Sequence, residues 1–275
     1  RLFDRHIVLP ELGGAGQVAL TKAHVVLIGC GGIGSPALQY LAGAGIGRLT
    51  LIDDDVVEAS NLQRQTLFGT DDIGRPKAEA AAEWLRVFDP ALEGTAHVTR
   101  LTRGNAAPLI AGADVVLDGS DNFATRLAVS DACVAAGIPL TSAALGRFQG
   151  QVASFAGHRA GHACYRCFVG DAFDAEDCDT CADTGVLGAM VGMVGAFAAM
   201  SAIRVLVQGH AAFGGQLSFQ GGDDAAAVVA QGAGLVQLGA HAWGHEAPVP
   251  RQGRQVGPQA LGQHPAEFVQ RLFFF

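Results

Sequence analysis

Positive charge is scarce in this sequence: 18 Lys and Arg stand against 26 Asp and Glu over 275 residues, for a net charge of −8. General nucleic-acid binding, which needs a basic face, is therefore not expected. The opening residues, Arg1-Leu2-Phe3-Asp4-Arg5, lack the apolar core of an export signal, and the expected location is cytoplasmic. There are no internal repeats, and no cysteine follows Cys181. One uncharged run, residues 185–203, approaches the roughly 20 residues of a membrane span. It is rich in Gly and Ala, stands alone and has no aromatic anchors. It is expected as a helix buried between neighbours, with no membrane partner.

What is present points to a layered fold. The sequence is 49% apolar and holds 38 glycines, many at turns between apolar runs. Residues 24–28 read as a buried strand, 35–44 as a helix and 48–53 as a second strand, together one β-α-β unit. A helix over 77–88 follows, with strands near 94–101 and 114–118. A helix over 123–136 leads to a strand at 138–142, an antiparallel strand at 148–155 and a last strand near 215–219. The expected class is α/β: a Rossmann-like, doubly wound, mostly parallel sheet extended by antiparallel strands. Residues 1–220 read as one domain, with a cysteine loop at about 163–183. Residues 221–275, rich in Gly, Ala and Gln, are either a poorly ordered tail or an atypical extension.

The loop after the first strand, Gly29-Cys30-Gly31-Gly32-Ile33-Gly34, has the G-x-G-x-x-G spacing. Gly29 permits a tight turn, Gly31 a close approach to phosphate, and Gly34 the packing of helix on strand. Asp53, 19 residues past Gly34, ends the next strand, where its carboxylate can accept from ribose hydroxyls. This much fits NAD, FAD or ATP.

The loop that follows narrows the choice. Asn61-Leu62-Gln63-Arg64-Gln65 has no use in a dehydrogenase, whereas a nucleotidyl transfer needs cations on the β- and γ-phosphates as pyrophosphate leaves. Arg64 can supply a bidentate fork and Lys77 a point charge. Asp121, after the fourth strand, can hold Mg²⁺. The pairs Cys164-x-x-Cys167 and Cys178-x-x-Cys181 suit a tetrahedral Zn²⁺ site by spacing. Cys30 and Cys133, in apolar surroundings, read as inert core thiols. His158 and His162 flank the cysteine loop as surface residues that could stand in for a zinc ligand, and His6 reads as packing.

Taken in order, these motifs resemble the adenylation domain of the ubiquitin-activating superfamily. They are the glycine loop, Leu51-Ile52-Asp53-Asp54-Asp55-Val56-Val57, Ser60 to Gln65, Gly74-Arg75-Pro76-Lys77, Asp118-Gly119-Ser120-Asp121-Asn122, Phe148-Gln149-Gly150-Gln151-Val152 and Cys164-Tyr165-Arg166-Cys167. The bacterial branch, the molybdopterin-synthase and thiamine-pathway sulfur-carrier adenylyltransferases, is the most similar. It shares an Arg-x-Ile opening like Arg5-His6-Ile7. The resemblance implies that Gly32, Asp53, Asn61, Arg64, Lys77 and Asp121 bind ATP, with Asp55 and Asn122 inside the matched motifs. It implies a homodimer in which Arg5 reaches the partner's triphosphate. The implied partner is a ubiquitin-like sulfur-carrier protein ending in Gly-Gly, whose carboxylate becomes an acyl-adenylate.

The same resemblance changes the reading of the cysteines. In that branch the first pair binds zinc with a second pair near the C-terminus, and a cysteine like Cys181 lies in a loop and in some members acts in sulfur or thioester chemistry. Here no second pair follows, so Cys178 and Cys181 are alternative ligands, and Cys181 is also a candidate nucleophile. Activation of another carboxylate, or of a modified tRNA base, stays open. An NAD-dependent oxidoreductase would need a hydride-acceptor site that no motif supplies.

Overall fold

A computed structural model describes residues 2–146, 149–169, 185–209, 216–222 and 225–231. Its strands are β1 (His24–Ile28), β2 (Arg48–Ile52), β3 (Glu93–His97), β4 (Val115–Asp118), β5 (Leu140–Leu145), β6 (Gln149–Phe155), β7 (Gln216–Gly222) and β8 (Ala225–Gln231). They form one sheet in the order β3-β2-β1-β4-β5-β6-β7-β8. From β3 to β5 every pairing is parallel, and β6, β7 and β8 join antiparallel. This is the doubly wound, mostly parallel sheet with antiparallel extension that the sequence leads one to expect. β8 lies beyond residue 220, where the sequence reading ends its domain.

β1 explains the layering. All five of its residues are buried, as a strand covered on both faces requires. Val25 and Leu27 face one core with the helices α2 (Gly13–Lys22), α3 (Gly34–Gly43) and α4 (Lys77–Phe88). Val26 and Ile28 face the other, with α5 (Ala106–Leu109), α6 (Phe123–Ala136) and α7 (Tyr165–Val169). A short α1 (Asp4–Ile7) precedes α2. β1 lies between β2 and β4, so the chain winds outward on one face and then back on the other. That makes the ends of β1 and β4 the crevice where such sheets take ligands.

The uncharged run is α8 (Gly188–Gln208), long and apolar enough to cross a membrane, with a mean hydropathy of 1.9. It is a core helix here, burying Val191, Val194, Ala198, Ala199, Ala202 and Val205. Glycine lets it come close to α3. A Cβ on Gly195 would stand 2.4 Å from Pro36 Cγ and 2.5 Å from the Ile33 carbonyl oxygen. A Cβ on Gly150 of β6 would meet Val194 at 2.4 Å.

Two neighbouring substitutions in α8 therefore have opposite expected signs. Gly195→Ala overpacks the α3 contact and should cost about 1–3 kcal/mol in urea denaturation. Gly192→Ala meets nothing within 4 Å and should stabilise by up to about 1 kcal/mol, because alanine is the better helix former. Equal effects at both sites would contradict the packing described.

Candidate nucleotide and carrier-activation site

Gly29, at the end of β1, has φ of +83°, in the left-handed region that favours glycine. Its N–H donates to the Ile52 carbonyl at 2.9 Å. A Cβ on Gly34 would lie 1.9 Å from the Gly29 carbonyl oxygen, so no other residue fits there. This closure lets α3 start immediately after β1. No side chain caps α3. Ser35 N and Ala37 N donate back to the Gly31 and Ile33 carbonyls and Pro36 has no N–H, which leaves the loop amides ahead of Ser35 to meet an anion.

Asp53 lies just past β2, with both carboxylate oxygens engaged by backbone. Oδ2 accepts from Cys30 N at 2.7 Å and Oδ1 from Asp55 N at 2.8 Å. Burial pushes its pKa up, against the pull of those two N–H groups. Each oxygen keeps a further lone pair for a ribose hydroxyl. Burial, with Asp53 beside it, likewise pushes the Cys30 thiol far up. Cys133 is raised by the same cause. Both thiols are inert at neutral pH.

The loop after Asp53 brings the expected cations to this place. The Arg64 side chain passes the glycine loop: its Cγ and Cδ lie 3.8 Å from where a Cβ on Gly32 would stand. Its Nη1 donates to the Ser60 carbonyl at 3.1 Å. Asn61 is buried, and its Oδ1 accepts from Glu58 N at 3.1 Å, which shapes the turn that presents Arg64. Lys77 opens α4 with its side chain only 7% exposed, and its Nζ pairs with Asp55 Oδ2 at 2.8 Å. Asp55, expected among the nucleotide contacts, thus holds the buried ammonium in place.

On the other side of β1, the residues after β4 complete the crevice. Asp118 is fully buried. Asp121 is exposed. Its oxygen chemistry fits Mg²⁺, as does that of Asp53, Asp54 and Asp55, whose ligand atoms all lie within 4.8 Å of one another. Asn122 caps α6, its Oδ1 accepting from Thr125 N at 2.8 Å. Two further groups escaped the sequence reading as site residues. Gln65 Oε1 and Ser120 Oγ are buried without a hydrogen-bond partner. Gln65 Nε2 stands 3.7 Å from a Cβ position on Gly31, and the Ser120 backbone N 3.2 Å from one on Gly29. Buried polar atoms without partners beside a glycine cradle fit a nucleotide that would satisfy them. Both sit in motifs already singled out, but only folding brings Gln65 to Gly31 and Ser120 to Gly29.

Cys164 and Cys167 meet at the start of α7, their sulfurs 3.1 Å apart. Burial raises the Cys164 thiol, while the hydrogen bond from Cys164 lowers Cys167. Two sulfurs directed at one point fit a soft cation such as Zn²⁺. Cys178 and Cys181 lie outside the described residues. The histidines have other partners. His158 Nε2 accepts from Arg159 Nε at 3.1 Å, His162 Nδ1 contacts the Ala160 carbonyl at 3.3 Å, and His6 bonds Gln17 Oε1 at 2.9 Å and stacks on Phe3. Arg5 is exposed on α1.

Comparison with known proteins agrees with this geometry. The chain is 44% identical over 170 residues to the SAMP-activating enzyme E1 of Haloferax volcanii, covering 62% of each chain. It is 51% identical over 167 residues to the adenylyltransferase and sulfurtransferase MOCS3 of Bos taurus, covering 61% of this chain and 36% of that protein. It is 45% identical over 169 residues to the sulfur carrier protein adenylyltransferase of Thermus thermophilus, covering 60% and 62%. The chain thus spans between about a third and three fifths of these relatives' lengths. Among solved structures, E. coli MccB shares the fold, with a TM-score of 0.71 and 23% identity over 90% of this chain and 75% of that one. The ThiF family model matches residues 3–223, and the chain belongs to the ThiF family.

Proposed function

We propose that this chain uses ATP to adenylate the C-terminal glycine carboxylate of a ubiquitin-like sulfur-carrier protein ending in Gly-Gly. The carrier would belong to the molybdenum-cofactor or thiamine sulfur-carrier class. The observation that carries this reading is the company kept by the glycine loop: the Arg64 stem beside Gly32 and the buried Lys77 ammonium at the start of α4. The names of the relatives, adenylyltransferases of sulfur carriers, support the same chemistry.

The chemistry asks little of proton transfer. The carrier carboxylate is already ionised at neutral pH, and its oxygen attacks the α-phosphorus. The bond to the bridging oxygen breaks, and pyrophosphate leaves with the electron pair. Negative charge builds on the departing phosphates, where Arg64 and Lys77 stabilise it. Lys77 would reach phosphate from its seat against Asp55, without crossing solvent. Mg²⁺ held by Asp121 would screen the same charge. Asp53 would orient the ribose, and the main-chain N–H groups of the glycine loop would hold the α-phosphate, so the rate comes from positioning and charge. No general base is needed.

ATP–pyrophosphate exchange should appear only with a Gly-Gly-ending carrier, and Arg64→Ala should lower it by about 10²-fold or more. Exchange absent with every such carrier, or near normal in Arg64→Ala, would defeat the assignment.

The homodimer belongs to the same reading. The N-terminal segment exposes Leu2, Val8, Leu9 and Val18 around Arg5, an apolar surface that suits a second copy. If Arg5 completes the partner's site, Arg5→Ala and Arg64→Ala are each inactive alone. Mixed dimers then hold one intact site, and exchange should reappear on mixing. Continued silence after confirmed subunit exchange would exclude Arg5 from acting in trans.

For the cysteines, the reading is that Cys164 and Cys167 bind Zn²⁺, and that Cys181 either joins Cys178 as a further donor or serves the sulfur step after adenylation. The free thiols of Cys164 and Cys167 are what a reducing, cytoplasmic compartment maintains. Elemental analysis should find less zinc in Cys164→Ser than in the parent, and Cys181→Ser should keep exchange while losing downstream sulfur transfer. Equal zinc content removes Cys164 as a ligand, and unimpaired transfer removes Cys181 as a nucleophile.

A further inference from the structure

Two charged side chains beneath the crevice, Arg126 and Asp118, are buried and have no part in the phosphate chemistry proposed above. Their bonds converge on one residue. Asp118 Oδ1 accepts from Ser120 N at 2.9 Å, and Arg126 Nη2 donates to the Ser120 carbonyl. Arg126 Nη1 donates to Ser142 Oγ at 3.4 Å, and that hydroxyl donates to Asp118 Oδ2 at 3.5 Å. Ser120 is thus gripped at both its N–H and its carbonyl. Asn122 is fixed as the cap of α6. Asp121, between them, has its backbone direction set from both sides.

α7 packs on α6. Tyr165 of α7 is buried, and its ring packs against Phe123 and Phe155 with centroids 6.2 and 5.8 Å apart. Next to it, Arg166 forms a forked pair with Asp131 of α6, at 2.6 and 2.9 Å. So α7, which carries Cys167, is pinned to the helix whose Arg126 holds the Asp121 loop.

We propose that Arg126 is a positioning residue for Asp121, acting through the Ser120 carbonyl, and that Ser142 orients its guanidinium. The Asp121 carboxylate then meets the metal–nucleotide complex in a geometry fixed by the α6–α7 junction. Only arginine fits: its planar fork serves Ser120 and Ser142 together, which a lysine ammonium on a flexible stem does not. This inference rests on Asp121 holding the metal of Mg·ATP.

The test is ATP affinity by calorimetry, with Mg²⁺ and with EDTA, on the full chain. The variants are Asp121→Ala, Arg126→Lys, Ser142→Ala and the double variant Asp121→Ala/Arg126→Lys, each checked for the parental circular dichroism and melting. Arg126→Lys should lose about fivefold or more of the gain in affinity that Mg²⁺ confers, and Ser142→Ala about twofold, with affinity in EDTA nearly unchanged. The double variant should be no weaker than Asp121→Ala alone, because both act at one point. Losses equal with and without Mg²⁺, or additive in the double variant, overturn the proposal. If Asp121→Ala keeps the full Mg²⁺ gain, the metal role of Asp121 falls and this inference with it. If Asp121→Ala loses the gain and Arg126→Lys keeps it, the positioning role alone falls. Should Arg126→Lys not fold, Ser142→Ala makes the same comparison.

Discussion

The structure depends on one close approach, that of Gly34 to the Gly29 carbonyl, where an added Cβ would stand at 1.9 Å. A methyl group there forces the backbone apart, and overpacking on that scale costs about 1–3 kcal/mol or more. The same turn ties three strand ends together. Gly29 N bonds the Ile52 carbonyl of β2, and Gly119 N, just past β4, bonds the Ile28 carbonyl of β1, both at 2.9 Å. A Cβ on Gly29 would meet the Gly119 backbone at 3.1 Å. The phosphate loop is therefore also the knot at which the sheet reverses its winding. Widening it would displace Asp53, on β2's side, and Asp121, on β4's side, together.

A second constraint is the burial of charge. Lys77, Asp118 and Arg126 are all buried, and an unpaired buried charge is strongly destabilising. Each has polar partners. Lys77 has Asp55, Arg126 has the Ser120 carbonyl and Ser142, and Asp118 has Ser120 N and Ser142. The Lys77–Asp55 pair is lopsided, the carboxylate being 58% exposed against 7% for the ammonium. Asp55 can turn to solvent while Lys77 stays enclosed. An incoming phosphate can then replace one anion by another without leaving the ammonium bare.

Much of this was legible in the sequence, for a physical reason. The glycine spacing, the acid at the end of β2 and the cations that follow are local patterns, and each element carries its own signal. The run over 185–203 read as a buried helix because its glycines mark close contact, and Gly195 against Pro36 is such a contact. What was not legible is what only tertiary contact creates. Ser120 and Gln65 look ordinary until folding leaves their oxygens buried without partners. Arg126 reads as one more polar residue of the helix over 123–136, because its partner Ser142 lies 16 residues away. Asn122 was counted with the nucleotide contacts, and its Oδ1 is engaged as a helix cap.

The two helices on either side of the second cysteine pair are docked on opposite halves of the crevice. α7, ahead of it, is held to α6 through Arg166 and Asp131, on the Asp121 side. α8, after it, begins against the Arg64 turn, where a Cβ on Gly188 would lie 2.4 Å from the Gln63 carbonyl oxygen. A side chain in place of Gly188 would push on the turn that presents Arg64, so the start of α8 and the seat of Arg64 are fixed by one contact.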